Sequence, residues 1–208
     1  KLSLQQTLAD AQGDYLPAEI HRPLLKTLQA AQRDNFAAMH SLDVSSRWVV
    51  IHPGSGGSAN NLSPQQYAKL AMMMRGSHAL NFIITAGPGE VETAEVLAQS
   101  IRDDGGVATV IASHQLEDLV TTLQWCDLFI SNSTGPLHVA AALNRPTAAF
   151  YPRHRSATPL RWQTLNAPDR RLAFTPPESA GADEVNAIDI REAAKTIGTF
   201  LQNFGAVI

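Results

Sequence analysis

Residues Asp127–Pro152 read DLFISNSTGPLHVAAALNRPTAAFYP. Leu128-Phe129-Ile130 is a short apolar run of the kind that forms a buried strand. The polar elbow Ser131–Pro136 follows, then a small-residue helical segment from Leu137 to Leu143. A second apolar run, Thr147–Tyr151, closes the unit between Pro146 and Pro152. Strand, turn, helix and strand make one βαβ unit. Its turn is rich in hydroxyls and opens a helix, where unpaired N–H groups and the helix dipole favour an anion. The turn is therefore a natural seat for phosphate.

Working back towards the N-terminus, the same alternation repeats. Trp48–Ile51 reads as a strand and runs into the glycine-rich loop His52–Ser58. Ser63, Pro64 and Gln66 carry a helix-start signature, with a capping box between Ser63 and Gln66. Asn81–Thr85 is the next strand, ending in Ala86-Gly87-Pro88-Gly89, and a helix spans about Glu90–Arg102. Val107–Ala112 is a third strand, and Gln115–Trp125 a helix with Leu116, Leu119, Val120 and Leu123 on one face. Five apolar runs separated by helices predict an α/β, Rossmann-like, doubly wound parallel sheet. In such sheets ligands bind beyond the carboxyl ends of the strands. The loops His52–Ser58, Gly87–Glu92 and Asn132–His138 all follow strands, so they are expected to meet at one crevice.

The flanks read differently. Lys1–Ser46 carries Leu24, Leu25, Leu28, Ala31, Phe36 and Met39 at helical spacing, which predicts a helical linker or the remnant of a preceding domain. Arg47–Thr175 holds the sheet. Pro176–Ile208 is a loop and a helix from Asp189 to Phe204, with Ile190, Ala194, Ile197 and Leu201 as an apolar stripe that in a lone domain would pack on the sheet or on the N-terminal helical region. The stretch after Pro152 reads as irregular, with a basic loop of Arg153, Arg155 and Arg161.

Bulk composition narrows the function. The 208 residues carry a net charge of −3, which argues against general nucleic-acid binding. A single cysteine rules out an internal disulfide and fits a reducing, cytoplasmic setting. No run reaches membrane-spanning length, so membrane contact is expected to be peripheral at most. His52 and His138 have no acidic or cysteine neighbours at ligand spacing, so no metal is expected.

Each loop has a bland and a functional reading. Ser55, Gly56, Gly57 and Ser58 allow close approach of a phosphate, or form a plain loop. They make neither a Walker A loop nor the G-x-G-x-x-G fingerprint, which disfavours a nicotinamide-dependent oxidoreductase. Glu90 and Glu92 either stabilise a helix dipole or accept hydrogen bonds from ribose hydroxyls. Ser133, Thr134 and Gly135 either cap a helix or contact an anion, and His138 either packs or lines the pocket. Arg155 offers a fork-shaped donor to phosphate or stays solvated. A Ser133–His138 hydrolase is disfavoured by the missing G-x-S-x-G elbow.

Taken in order, the loops resemble glycosyltransferase family 9, the heptosyltransferases of lipopolysaccharide core assembly. The resemblance rests on His52-Pro53-Gly54-Ser55-Gly56-Gly57-Ser58, on Ala86-Gly87-Pro88-Gly89-Glu90, and above all on Ser131–Leu143 against the family pattern S-N-D-T-G-P-x-H-x-A-A-A. It extends through Arg145-Pro146 and Phe150-Tyr151-Pro152 to Arg161-Trp162. It implies the C-terminal, donor-binding half of a GT-B fold. The implied activity is inverting, metal-independent transfer of a heptose-like sugar from a nucleotide diphosphate donor, ADP-heptose above all, to a lipid-linked core oligosaccharide, with no cofactor. Ser55–Ser58 and Thr134-Gly135 would hold the diphosphate, Glu90 or Glu92 the ribose, and His138 the sugar-diphosphate pocket. The catalytic base would lie in an N-terminal acceptor domain, so no catalytic residue is assigned in this chain. By the same resemblance the last helix would cross back to that domain. Two residues depart from the pattern: Ser133 stands where the motif has Asp, and Asn60 where a basic residue is usual. Those departures keep a second reading open, a non-catalytic nucleotide-sugar-binding module.

Overall fold

The computed structural model describes residues 31–54, 61–75, 79–153 and 162–204. Its centre is a six-stranded, all-parallel sheet in the order β3-β2-β1-β4-β5-β6. The strands are β1 (Arg47–His52), β2 (Leu80–Ala86), β3 (Val107–Ala112), β4 (Leu128–Asn132), β5 (Thr147–Phe150) and β6 (Arg171–Phe174). The helices are α1 (Ala31–His40), α2 (Pro64–Arg75), α3 (Val91–Asp103), α4 (Leu116–Leu123), α5 (Gly135–Ala142) and α6 (Ile190–Gln202). The strand order reverses between β1 and β4, so the crevice of a doubly wound sheet opens there.

The central strands are buried along their whole length, as strands covered on both faces must be. Alternate side chains feed two cores. Val49 and Ile51 of β1 point into the one closed by α2, α3 and α6. Trp48 and Val50 point into the other, closed by α1, α4 and α5. Asp127, 2% exposed, ties β1 to β4 below the crevice. Its Oδ2 accepts from the Trp48 N–H at 2.7 Å, and its own N–H donates to the Trp48 carbonyl at 2.9 Å. Helix starts follow the sequence signals: Gln66 N–H donates to Ser63 Oγ, Ser63 N–H donates to Gln66 Oε1, and Asp189 accepts from the N–H groups of Arg191 and Glu192.

Three differences from the sequence reading stand out. A sixth strand, β6, lies in the stretch read as irregular. Its Arg-Leu-Ala-Phe pattern is short and only half buried, and it becomes a strand by pairing with β5 and stacking Phe174 on Phe150 at 5.2 Å between ring centroids. The stripe of α6 does not wait for another domain: Ile190, Ala194, Ile197 and Leu201 are buried in the core with α2 and α3. The Arg47 guanidinium donates to the Leu201 carbonyl at the far end of that helix. On α4, Leu123 is buried but Leu116 is 60% exposed, so its apolar face is not packed throughout.

Candidate functional site

The C-terminal ends of β2, β1 and β4 lie side by side, and their loops meet there. A cavity of about 280 Å³ at this edge is walled by residues from all three: His52 at the end of β1, Ala86 and Gly87 at the end of β2, and Pro136 at the start of α5. Ser113, His114, Leu116 and Leu119 close its outer side, after β3. This explains the exposed Leu116: it is a cavity wall. The convergence expected from the sequence is present for the described parts of these loops.

Glu90 joins the first two loops. Its Oε2 accepts from the Gly87 N–H at 3.0 Å and lies 3.7 Å from His52 Nε2. The carboxylate fills the space where a Cβ on Gly54 would sit, so only glycine fits beside it. The other ring nitrogen of His52, Nδ1, is 3.1 Å from the Thr85 hydroxyl. Burial holds the His52 pKa below its usual value, against an opposing pull from Glu90. The imidazole is therefore neutral at neutral pH. Thr85 was absent from the candidates, yet strand register could have found it: Ile51 pairs with Ile84, so the next residues, His52 and Thr85, end up adjacent.

The turn after β4 presents the start of α5. Thr134 is the N-cap, in extended conformation, but its side chain makes no capping bond and its hydroxyl lies 3.5 Å from Ser131 Oγ. Among the described residues nothing approaches within 4 Å of where a Gly135 Cβ would be. Ser133 and His138 are half-buried nearby. Asn132, 2% exposed, accepts from the Leu62 N–H at 3.5 Å, while its Nδ2 has no hydrogen-bond partner among the described residues. A buried donor left unmatched costs about 1–3 kcal/mol.

The remaining candidates sit apart. Glu92 is exposed on the first turn of α3. Arg153 is engaged elsewhere: its guanidinium donates to the carbonyls of Pro177 and Ala180, and its N–H to that of Ala182. Ser55, Gly56, Gly57, Ser58, Asn60, Arg155 and Arg161 lie outside the described residues. Among the described residues no group of three His, Cys, Asp or Glu side chains could hold a metal ion. No described helix is long and apolar enough to cross a membrane. Cys126 is fully buried, its thiol pushed up to about 12 by desolvation, which leaves it unreactive.

A Rossmann-like fold with a cavity at its strand ends is the class these features define. The chain belongs to glycosyltransferase family 9 (heptosyltransferase), whose family model matches residues 6–183. A protein of Haemophilus influenzae that carries only the general name of glycosyltransferase is 41% identical over 163 residues, 78% of this chain and 47% of that protein. Among solved structures, the family 9 glycosyl transferase of Veillonella parvula aligns at TM-score 0.71 and 17% identity, covering 87% of this chain and 54% of its own. The ADP-heptose lipopolysaccharide heptosyltransferase II of E. coli aligns at TM-score 0.69 and 17% identity, with the same coverage. The chain thus spans about half the length of the relatives it matches.

Proposed function

We propose that this chain is the donor-binding half of an inverting, metal-independent glycosyltransferase that takes a heptose-like sugar from a nucleoside diphosphate carrier. One observation carries the reading: a single cavity walled by residues from the ends of four strands, with the Glu90 carboxylate against two of its lining residues, His52 and Gly87. The apolar slot between Leu116, Leu119 and Pro136 suits the flat face of a nucleobase. Glu90 is the proposed acceptor of hydrogen bonds from the vicinal hydroxyls of the ribose. The diphosphate then falls against Thr134, Gly135 and the first N–H groups of α5, with Asn132 Nδ2 as a further donor behind them. Ser55–Ser58 and Arg155 are proposed to complete the phosphate cradle, and His138 to line the sugar side.

In the reaction, a base in an acceptor-binding domain takes the proton of the acceptor hydroxyl, whose oxygen attacks the anomeric carbon. The bond from that carbon to the diphosphate oxygen breaks with inversion, and the departing charge is stabilised by the donors named above. ADP-heptose is the proposed donor, since the similar E. coli protein is named for it, and a lipid-linked core oligosaccharide is the proposed acceptor. A cytoplasmic location, at most peripheral on the inner membrane, is part of the same proposal. No separate cofactor is proposed.

Titration calorimetry with ADP and ADP-heptose tests the reading. Binding in the micromolar to millimolar range is expected, and no heat at millimolar ligand refutes it. Ser133, where the family motif has Asp, favours the alternative of a binding module without turnover. Transferase activity in the presence of an acceptor domain would exclude that alternative.

A further inference from the structure

We propose that His52 and Gly54 are positioning residues: together they fix the Glu90 carboxylate at the cavity rim, where it selects ligands that carry vicinal hydroxyls. The inference rests on the donor-binding reading above. Glu90 sits at the end of an exposed turn, and a glutamate there would ordinarily sample several rotamers. Here it has a seat. The Gly87 N–H binds Oε2, the Cβ-less Gly54 leaves room for the carboxyl group, and His52 Nε2 approaches from below. The imidazole is held in turn by Thr85, so its second nitrogen keeps its aim.

The His52 ring stands between the two groups, with Nδ1 3.1 Å from the Thr85 hydroxyl and Nε2 3.7 Å from Glu90 Oε2. The groups facing it are Thr85 from β2, Glu90 from the turn before α3, and His114 from the turn after β3, which shares the cavity. At 6% exposure and with Nε2 beside the Glu90 carboxylate, His52 acts through that group. Gly54 has a separate duty. A methyl group there would meet only the end of a flexible side chain, so Gly54→Ala displaces Glu90 at little cost to the fold.

Two probes separate this role from general structural support: ADP and 2′,3′-dideoxy-ADP, which lacks the hydroxyls. The chain is expected to bind ADP about tenfold or more tightly than the dideoxy compound, the scale of hydrogen bonds to a charged acceptor. Glu90→Gln, Gly54→Ala and His52→Asn should each bring that ratio close to one. His52→Gln, whose amide reaches where Nε2 was, should restore much of the ratio. The double variant Gly54→Ala/Glu90→Gln should lose no more than either single one. Melting curves identify any variant that fails to fold; Glu90→Gln removes no packing and keeps the test intact. A ratio unchanged in Gly54→Ala and His52→Asn but lost in Glu90→Gln overturns the positioning role alone. Failure of the unaltered chain to bind either nucleotide overturns the donor reading and this inference with it.

Discussion

Asp127→Ala removes the one side chain that clamps β1 to β4 beneath the crevice. The carboxylate is 2% exposed and its Oδ2 lies 2.7 Å from the Trp48 N–H. Truncation leaves that buried N–H without an acceptor, at about 1–3 kcal/mol, and removes a hydrogen bond to a charged acceptor of similar worth. The two estimates overlap rather than add, and Arg145 also loses a neighbouring opposite charge. A loss of about 2–4 kcal/mol is expected. For a domain of this size that lowers the melting temperature by roughly 4–16 °C. Asp127→Asn keeps an oxygen for the Trp48 N–H and should lose about half as much or less. Urea unfolding followed by fluorescence of the buried Trp48 and Trp125 provides the assay, with an unchanged slope confirming that only stability moved. Because Asp127 precedes the N-terminal end of β4, nucleotide affinity of the folded variant should match the parent. A loss below about 0.5 kcal/mol for Asp127→Ala, or equal losses for Ala and Asn, would refute the reasoning.

Other outcomes follow from the same geometry. Ile197→Ala, at a site with 0% exposure on α6, should cost about 2–5 kcal/mol in the chain alone; a negligible cost would mean α6 does not belong to this core. Stability should fall as pH drops below about 6.5, because buried His52 resists the proton that the unfolded chain accepts. His40 is shifted the same way. The loss ends once pH passes below the folded-state values, and a flat stability profile between pH 7 and 5 in a His52→Asn/His40→Asn chain, against a sloping one in the parent, would confirm the assignment. Leu116→Asp places a charge on the cavity wall and should weaken ADP binding about tenfold or more while leaving the melting temperature within a few degrees, since Leu116 is already 60% exposed. Unchanged affinity would take the base out of that slot.

The order of strands and helices was written locally. Apolar runs of three to six residues, the Ser63–Gln66 capping box and the polar elbow Ser131–Pro136 each signal their element without help from distant sequence. Parallel connections must cross over, so this alternation also predicts loops gathered at one edge. What the sequence could not carry is anything that depends on a neighbour far along the chain. β6 has too little apolar content to announce itself and exists because β5 offers it hydrogen bonds and Phe150 a stacking surface. The stripe on α6 is visible in the sequence, but which partner it meets is not; only the fold brings α2 and the end of β1 beneath it. The same holds for the site. Glu90 reads as an ordinary first-turn acid, His52 as a lone histidine and Gly54 as a loop residue. Strand register sets His52 beside Thr85, and the turn after β2 swings Glu90 into the gap that Gly54 leaves. A sequence specifies which groups are available, but the sheet decides which of them stand within reach of one another.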